Sequence, residues 1–301
     1  MTASNNSRQY AFVAETVFGV TPASPNTQLI ELVDFTGDLN ATQLSSASLN
    51  SHRQTSDARR GNLSAEGELQ VEMVADNYDD FLQAVMGGTW ATNVLKVGNT
   101  KRSYAIEEGF VDLGQYRVFN GMTFNTFAVE INTDNLITAT FGLLGAGATA
   151  FSGSSIDASP TAVTTKPKFF HEEGTISEGG TPIAYLSAVS FELNNNITGN
   201  YALGSTSYHS LSLGRVSVTG TITGLCDSFA LYNKFVNNTD STLSVVLSAG
   251  SPAETLTFAF PKVKYTSGTI QRSDTGPVMF ELGFEAVYDS TAATSMSITR
   301  S

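Results

Sequence analysis

The sequence predicts a mainly-β chain: a β-sandwich or barrel fold carried twice in tandem, each copy with one short α-helix. Three observations point there. Hydrophobic residues make up 41% of the 301 and charged ones only 15%, with 19 Phe and 10 Tyr against 1 Trp, a balance that favours pleated sheets over helical bundles. Turn signals rich in Gly, Ser, Thr and Asn recur at short intervals between segments of period-2 alternation. Only two stretches have helical periodicity, and each follows an alternating strand with a glycine at its middle.

The alternating segments, in order, are LSAEGELQVEM, YRVFNGMTFNTFAVEI, LITATFGLL, RVSVTGTITGL, STLSVVL, ETLTFAF and PVMFELGFEAV. Period 2 puts alternate side chains on opposite faces, so each reads as a half-buried strand. The first helix, DNYDDFLQAVMGG (76–88), opens on an Asp cap, places Tyr78, Phe81, Leu82 and Val85 on one face and stops at Gly87. The second, DSFALYNKFVNN (227–238), does the same with Phe229, Leu231, Tyr232 and Phe235.

These strand-then-helix units expose the repeat. LSAEGELQVEM and RVSVTGTITGLC carry Gly67 and Gly220 at their centres. Residues 119–147 lie over 260–289 with one small gap, Phe119 on Phe260, Phe124 on Tyr265, and LITATFGLLG on VMFELGFEAV. VDFTGDLN (33–40) matches VSFELNNN (189–196). The expected organisation is an N-terminal arm (1–29), a first copy (30–151), a Ser-, Thr-, Gly- and Pro-rich linker or decorated crossover (152–183), a second copy (184–290) and a C-terminal tail (291–301). A period this long is a domain duplication, not a solenoid or propeller.

The formal net charge of −12 and pI near 4.6 disfavour binding nucleic acid through its phosphates; such a surface repels them. No apolar run reaches the roughly 18 residues needed to span a bilayer, and MTASNNSRQY has neither a basic region before an apolar core nor a cleavage site, so residence in the cytoplasm until assembly is expected. The single cysteine, Cys226, rules out an intramolecular disulfide and a multi-cysteine zinc site, and its alternation with Val218 and Ile222 makes it a packing residue.

Catalytic and cofactor patterns are missing. His52, His171 and His209 have no metal-ligand spacing. GAGATA (145–150) fits a dinucleotide pattern but no helix follows to hold a pyrophosphate. Neither a nucleophile elbow nor a phosphate-binding loop occurs. The carboxylate pairs Glu107 and Glu108, Glu172 and Glu173, and Asp79 and Asp80 are adjacent in sequence and read as solvated groups. No catalytic, cofactor or metal residue is assigned.

Two features remain. From Glu66 to Met73 one strand face carries Glu66, Glu68, Gln70 and Glu72 and the other Leu69, Val71 and Met73. Its counterpart in the second copy carries Thr219, Thr221 and Thr223, so this polar face reads either as a wetted wall or as an ordinary solvent-facing sheet. The loop ASLNSHRQTSDARRGN (47–62) is long for a connection in a compact domain, lacks apolar anchors and is expected to be mobile. Its Arg53, Arg59 and Arg60 suit bidentate clamping of carboxylates, and in so acidic a protein the nearest supply is another copy of the chain.

At this point the chain resembles a known family. AETVFGVTP (14–22), a leucine and acid segment, an S-x-R-Q…R-x-G loop (Ser51 to Gly61), a glycine-interrupted strand and a short helix are similar to the tail tube (major tail) proteins of long, non-contractile-tailed bacteriophages. LYNKFVNNTDSTLSVVL and TLTFAFPKVKY, between Leu231 and Tyr265, are similar to that family's second half. Ala14 departs from the signature's acidic residue, and the crossover does not align.

The resemblance implies a non-enzymatic virion protein whose subunits form rings that stack into a tube. A continuous β-barrel would close around a lumen through which DNA leaves the capsid without specific binding. Six folds per ring is the family arrangement, so two per chain imply a trimeric ring with pseudo-sixfold symmetry, a hexamer being the runner-up. Glu66, Glu68, Glu72, Thr219, Thr221 and Thr223 would face the lumen, and His52, Arg53, Asp57, Arg59 and Arg60 would form the contact between rings. Tail terminator, distal tail and tape measure proteins are the further partners, with assembly in the host cytoplasm. A virion decoration or receptor-binding β-sandwich is the alternative.

Overall fold

The computed structural model describes residues 7–49, 51–133, 135–250, 254–272 and 275–301. Its first half contains β1 (Arg8–Ala14), β2 (Gln28–Leu29), β3 (Asp34–Phe35), β4 (Asp38–Ser45), β5 (Ala58–Glu72), α1 (Asp79–Met86), β6 (Val94–Lys96), β7 (Tyr104–Phe110), β8 (Gln115–Asn132), β9 (Thr138–Gly145) and β10 (Gly147–Ala148). Its second half contains β11 (Thr175–Glu178), β12 (Thr181–Pro182), β13 (Leu186–Asn194), β14 (Thr198–Tyr201), β15 (Tyr208–Ser212), β16 (Ser217–Leu225), α2 (Ala230–Val236), β17 (Ser241–Ala249), β18 (Glu254–Gln271), β19 (Met279–Ala286) and β20 (Ser297–Arg300). Mainly-β architecture with one short helix in each half is what the alternation predicted.

Two long strands, β8 and β18, organise the halves. The first part of β8 pairs with β7 and its second part with β9 and β13; the first part of β18 pairs with β17 and β20 and its second part with β19. Each carries a bulge at the same place, between Phe124 and Thr126 and between Tyr265 and Ser267. An extra residue there bends the strand from one sheet into the other. The ladders β5 with β9 and β16 with β19 also match, Gly67 opposite Leu143 and Gly220 opposite Phe284.

The expected matches Phe119 with Phe260 and Phe124 with Tyr265 agree with these ladders, but the gap placed after them is not needed. Phe124 faces Leu143 where Tyr265 faces Phe284, so LITATFGLLG lies one residue away from its expected place. VDFTGDLN is displaced by two: Asp38 faces Glu66 where Glu192 faces Thr219. A shift of two keeps every side chain on its own face, so alternation alone does not detect it.

The core is continuous through both halves. Phe81 of α1 lies 4.7 Å from Phe124 and 4.6 Å from Phe12 between ring centroids, and Phe127 lies 5.0 Å from Phe141 and 6.0 Å from Phe258. α1 buries Phe81, Leu82, Ala84, Val85 and Met86, has acidic Asp79 and Asp80 in its first turn, and ends on left-handed Gly87, charge and cap both suiting the helix ends. Asp76 does not cap it. That residue has φ 65° and ion-pairs with Lys166, and the helix starts after Tyr78. α2 is shorter than expected too, with Phe229 outside it and 54% exposed.

Residues 152–183 are folded onto the rest of the chain. Asp157 accepts hydrogen bonds from the backbone and hydroxyl of Thr27, Lys166 bridges Asp76 and Glu254, and Phe169 is fully buried. β11 then pairs with β17 in the second half's sheet, as β1 from the N-terminal arm pairs with β7 in the first.

Candidate functional site

Eight strands form one layer through the molecule, in the order β4, β5, β9, β8, β13, β16, β19 and the second part of β18. Leu69, Phe141, Phe127, Val129, Phe191, Val218, Ile222 and Leu282 fill its inner face. Its outer face is polar across the whole width. Glu66 and Glu68 are exposed there and Glu72 is half-buried, held by Lys168; Thr219 is exposed, with Thr221 and Thr223 half-buried.

The pairings align the predicted residues. Glu66 corresponds to Thr219, Glu68 to Thr221 and Gln70, not Glu72, to Thr223, because Gly67 and Gly220 hold the same place. They also reveal acids that the sequence reading missed. Glu192 and Glu285 flank Thr219 on either side, and Glu281 stands opposite Thr223. Glu130 lies between Thr138 and Ser190, and Asp38 lies directly opposite Glu66. The signal was the alternation in FAVEIN, VSFELN and MFELGFEA, but only strand order shows that these acids share one face.

Like charges directly opposite each other on a sheet are destabilising. At Asp38 the cost is offset: its carboxylate accepts from the Leu39 backbone and from Arg117 at 3.0 Å. The Leu39 N–H and then the guanidinium hold that carboxyl below its ordinary value. Among the described residues the basic groups touching this face, Arg117, Lys168 and Lys264, stand at its borders. Its centre is uniformly acidic or neutral.

The arginine segment differs from the expected loop. Arg59 and Arg60 lie on β5, opposite Leu44 and Gln43, so β4 and β5 project as a hairpin arm whose tip is only 46–57. A bulge between Ala41 and Gln43 lets pairing continue past Gly61, which composition alone read as loop. Arg53, Arg59 and Arg60 are exposed, as is His52, and Asp57 ion-pairs with Arg59 at 3.2 Å. Leu49 at the tip is fully exposed; residue 50 lies outside the described residues.

A second arm, β14 with β15, occupies the corresponding place in the second half and exposes Leu203 at its tip. This arm lies on the first half. The Leu63 N–H donates to the Thr206 carbonyl at 2.7 Å, and the Tyr201 hydroxyl donates to the Leu63 carbonyl at 3.2 Å.

The remaining candidates are structural. Glu107 and Glu108 are buried rather than solvated. Glu107 accepts from the Ser155 hydroxyl and Ile156 N–H, and Glu108 from the Tyr10 hydroxyl at 2.8 Å and Arg117 at 2.6 Å. Their distance from these partners in sequence hid them. Glu172 and Glu173 sit with His171 in one 3-10 turn. Cys226 is half-buried against the core with its thiol toward the Ser228 carbonyl. Within GAGATA, Gly147 and Ala148 form the short strand β10 against β8.

Among the described residues the layer thus has a single internal seam, β8 against β13, and open strand edges at β4 and β18, its acidic face running across both halves. No curated protein matches the chain. The model of one family, described as phage tail tube protein, matches residues 5–294. That match covers nearly the whole sequence, and the chain belongs to the phage tail tube protein family.

Proposed function

We propose that the chain contains two copies of one tail tube fold and that three chains close into a ring with pseudo-sixfold symmetry. The observation that carries this is the seam inside the chain. β13 is the second half's counterpart of β3 and β4, and it pairs antiparallel with β8 from Ala188 opposite Asn132 to Asn194 opposite Thr126. The counterpart of the second part of β8 is the second part of β18, an exposed edge strand, and the counterparts of β13 are β3 and the exposed edge β4. Joining β18 of one chain to β4 of the next repeats the same seam. It also satisfies the unpaired backbone groups of both edges, otherwise an aggregation liability.

A head-to-tail contact of this kind closes a ring by rotation, and stacking of rings by translation makes a tube. The acidic face would line the lumen. Glu66, Glu68, Glu72, Thr219, Thr221 and Thr223, joined by Glu130, Glu192, Glu281 and Glu285, would repel the phosphates of DNA in transit and keep the duplex from adhering. The arm tips, with His52, Arg53, Asp57, Arg59 and Arg60, would reach the adjacent ring. Such a subunit belongs in the tail of a long, non-contractile-tailed phage, built in the host cytoplasm, with terminator, distal tail and tape measure proteins as partners.

Negative-stain microscopy of the purified protein tests the reading. Stacked rings with a central hole and three-fold end-view averages are expected; six-fold averages with six chains per ring favour the hexamer, and a monomer at all concentrations and salts favours a decoration module. Reversing Arg59 and Arg60 to Glu is expected to block stacking while leaving the fold intact. Unchanged tube length and yield would remove those residues from the contact.

A further inference from the structure

We infer that α2 forms one wall of the seam between chains, and that β4 of a second copy of this chain, through Leu39, covers it. The inference rests on the ring reading above and assigns its lateral contact. The two helices stand in corresponding places but differ in cover. α1 lies beside β8 at the internal seam, and Asn195, just past β13, donates from its side chain to the Val85 carbonyl at 2.7 Å. Five of its eight residues are buried. α2 lies against the open half of β18 and has no buried residue.

Ala230, Asn233 and Val236 are the exposed residues of α2. Val236 is 62% exposed, and Phe229, which caps the helix, is 54% exposed. Scattered apolar residues are ordinary on a surface. The helix that carries these two packs through Phe235 on the open half of β18, which is why they point to a partner.

The internal seam shows which part of the partner arrives there. On β13, Leu193 faces Phe127 and is fully buried, and Ile197 just beyond it is buried as well. The corresponding strand of the first half, β4, leaves the counterpart of Leu193, Leu39, half-buried. Where Phe127 stands on β8, β18 has Gly268, and the Phe235 ring of α2 takes the space: a Cβ on Gly268 would lie 2.7 Å from it. A second chain docking β4 by the register of the internal seam brings its Leu39 over Gly268 and against Phe235.

The full-length chain is tested in two ways. The double variant Phe229→Asp with Val236→Asp is expected to keep the wild-type circular dichroism and melting temperature as a monomer, and to need at least about tenfold higher concentration to form rings. Should that variant misfold, Leu39→Asp on the opposite wall is expected to give the same loss. A photoreactive phenylalanine analogue at position 229 is expected to cross-link to residues 38–63 of another chain. Ring formation by folded variants at wild-type concentration, or cross-links confined to other segments, overturns the inference and leaves the ring standing. Absence of rings from the wild-type protein at every concentration overturns the ring itself, and this contact with it.

Discussion

Val129 and Phe191 stand opposite each other on neighbouring antiparallel strands, and they come from different halves of the chain. The sheet crosses from one half to the other without a break, and both residues are buried in the shared core. In the ring proposed above, the open edges of neighbouring chains would repeat this contact.

The first prediction follows from that register. Ala128 faces Glu192 at the internal seam, and their counterparts at the open edges are Thr269 and Asp38. Opposed Cα atoms in antiparallel pairs lie about 4.5–5.5 Å apart, within reach of a disulfide. In a Cys226→Ser background, Asp38→Cys with Thr269→Cys is expected to form a bond between chains under oxidising conditions. On a non-reducing gel of assembled protein the covalent series should end at three chains; continuation to six would establish the hexamer.

The acidic face makes a second prediction. Glu130→Lys, Glu192→Lys and Glu281→Lys change exposed residues and should leave folding intact. Assembled tubes of this variant should retain duplex DNA in sedimentation at low salt and release it as salt rises, as phosphate contacts do. Wild-type tubes should retain none. Equal retention by both would place this face outside the lumen.

Gly67 allows a stability prediction. A Cβ there would stand 2.3 Å from the Cα of Gly37, with other backbone atoms almost as near. Backbone cannot move aside as a side-chain tip can, so Gly67→Ala should cost about 1–3 kcal/mol or more, read as a lower denaturant midpoint. Gly220→Ala should behave alike, since its Cβ would lie 2.5 Å from the Ser190 carbonyl oxygen.

Alkaline pH gives the fourth. Burial above all raises the hydroxyls of Tyr10, Tyr78, Tyr104 and Tyr265 well above their usual value of 10.0. In the unfolded chain these groups ionise near that usual value, while in the folded protein they stay protonated. The folded state therefore binds more protons, and stability should be flat below about pH 10 and fall as pH rises beyond it. Tyrosinate absorbance should rise in two phases, the later one coinciding with loss of near-ultraviolet circular dichroism. A single phase with the fold intact would contradict this.

Much of the architecture was legible because alternation is a local property. LSAEGELQVEM and RVSVTGTITGL specified strands, faces and a shared central glycine, and the family resemblance rested on nearly the full chain. Less was legible where partners are remote. Asp76 looked like a helix cap but takes a left-handed backbone and pairs with Lys166, ninety residues away. Arg59 and Arg60 looked like loop because β4 and β5 are polar on both faces there, leaving no apolar period to mark a strand.

By itself the sequence determined a β-rich chain with a repeated strand-and-helix unit, its acidity, and which side chains of each strand face the core. Those follow from residue type and from the geometry of one strand. Only the tertiary structure decided register and neighbours: that Glu130, Glu192, Glu281 and Glu285 share a face with Glu66 and Glu68, that Glu107 and Glu108 are buried against distant donors, and that β4 and β18 are the edges left open. Strand order is set by non-local hydrogen bonds and core packing, and a displacement of two residues leaves the local pattern unchanged.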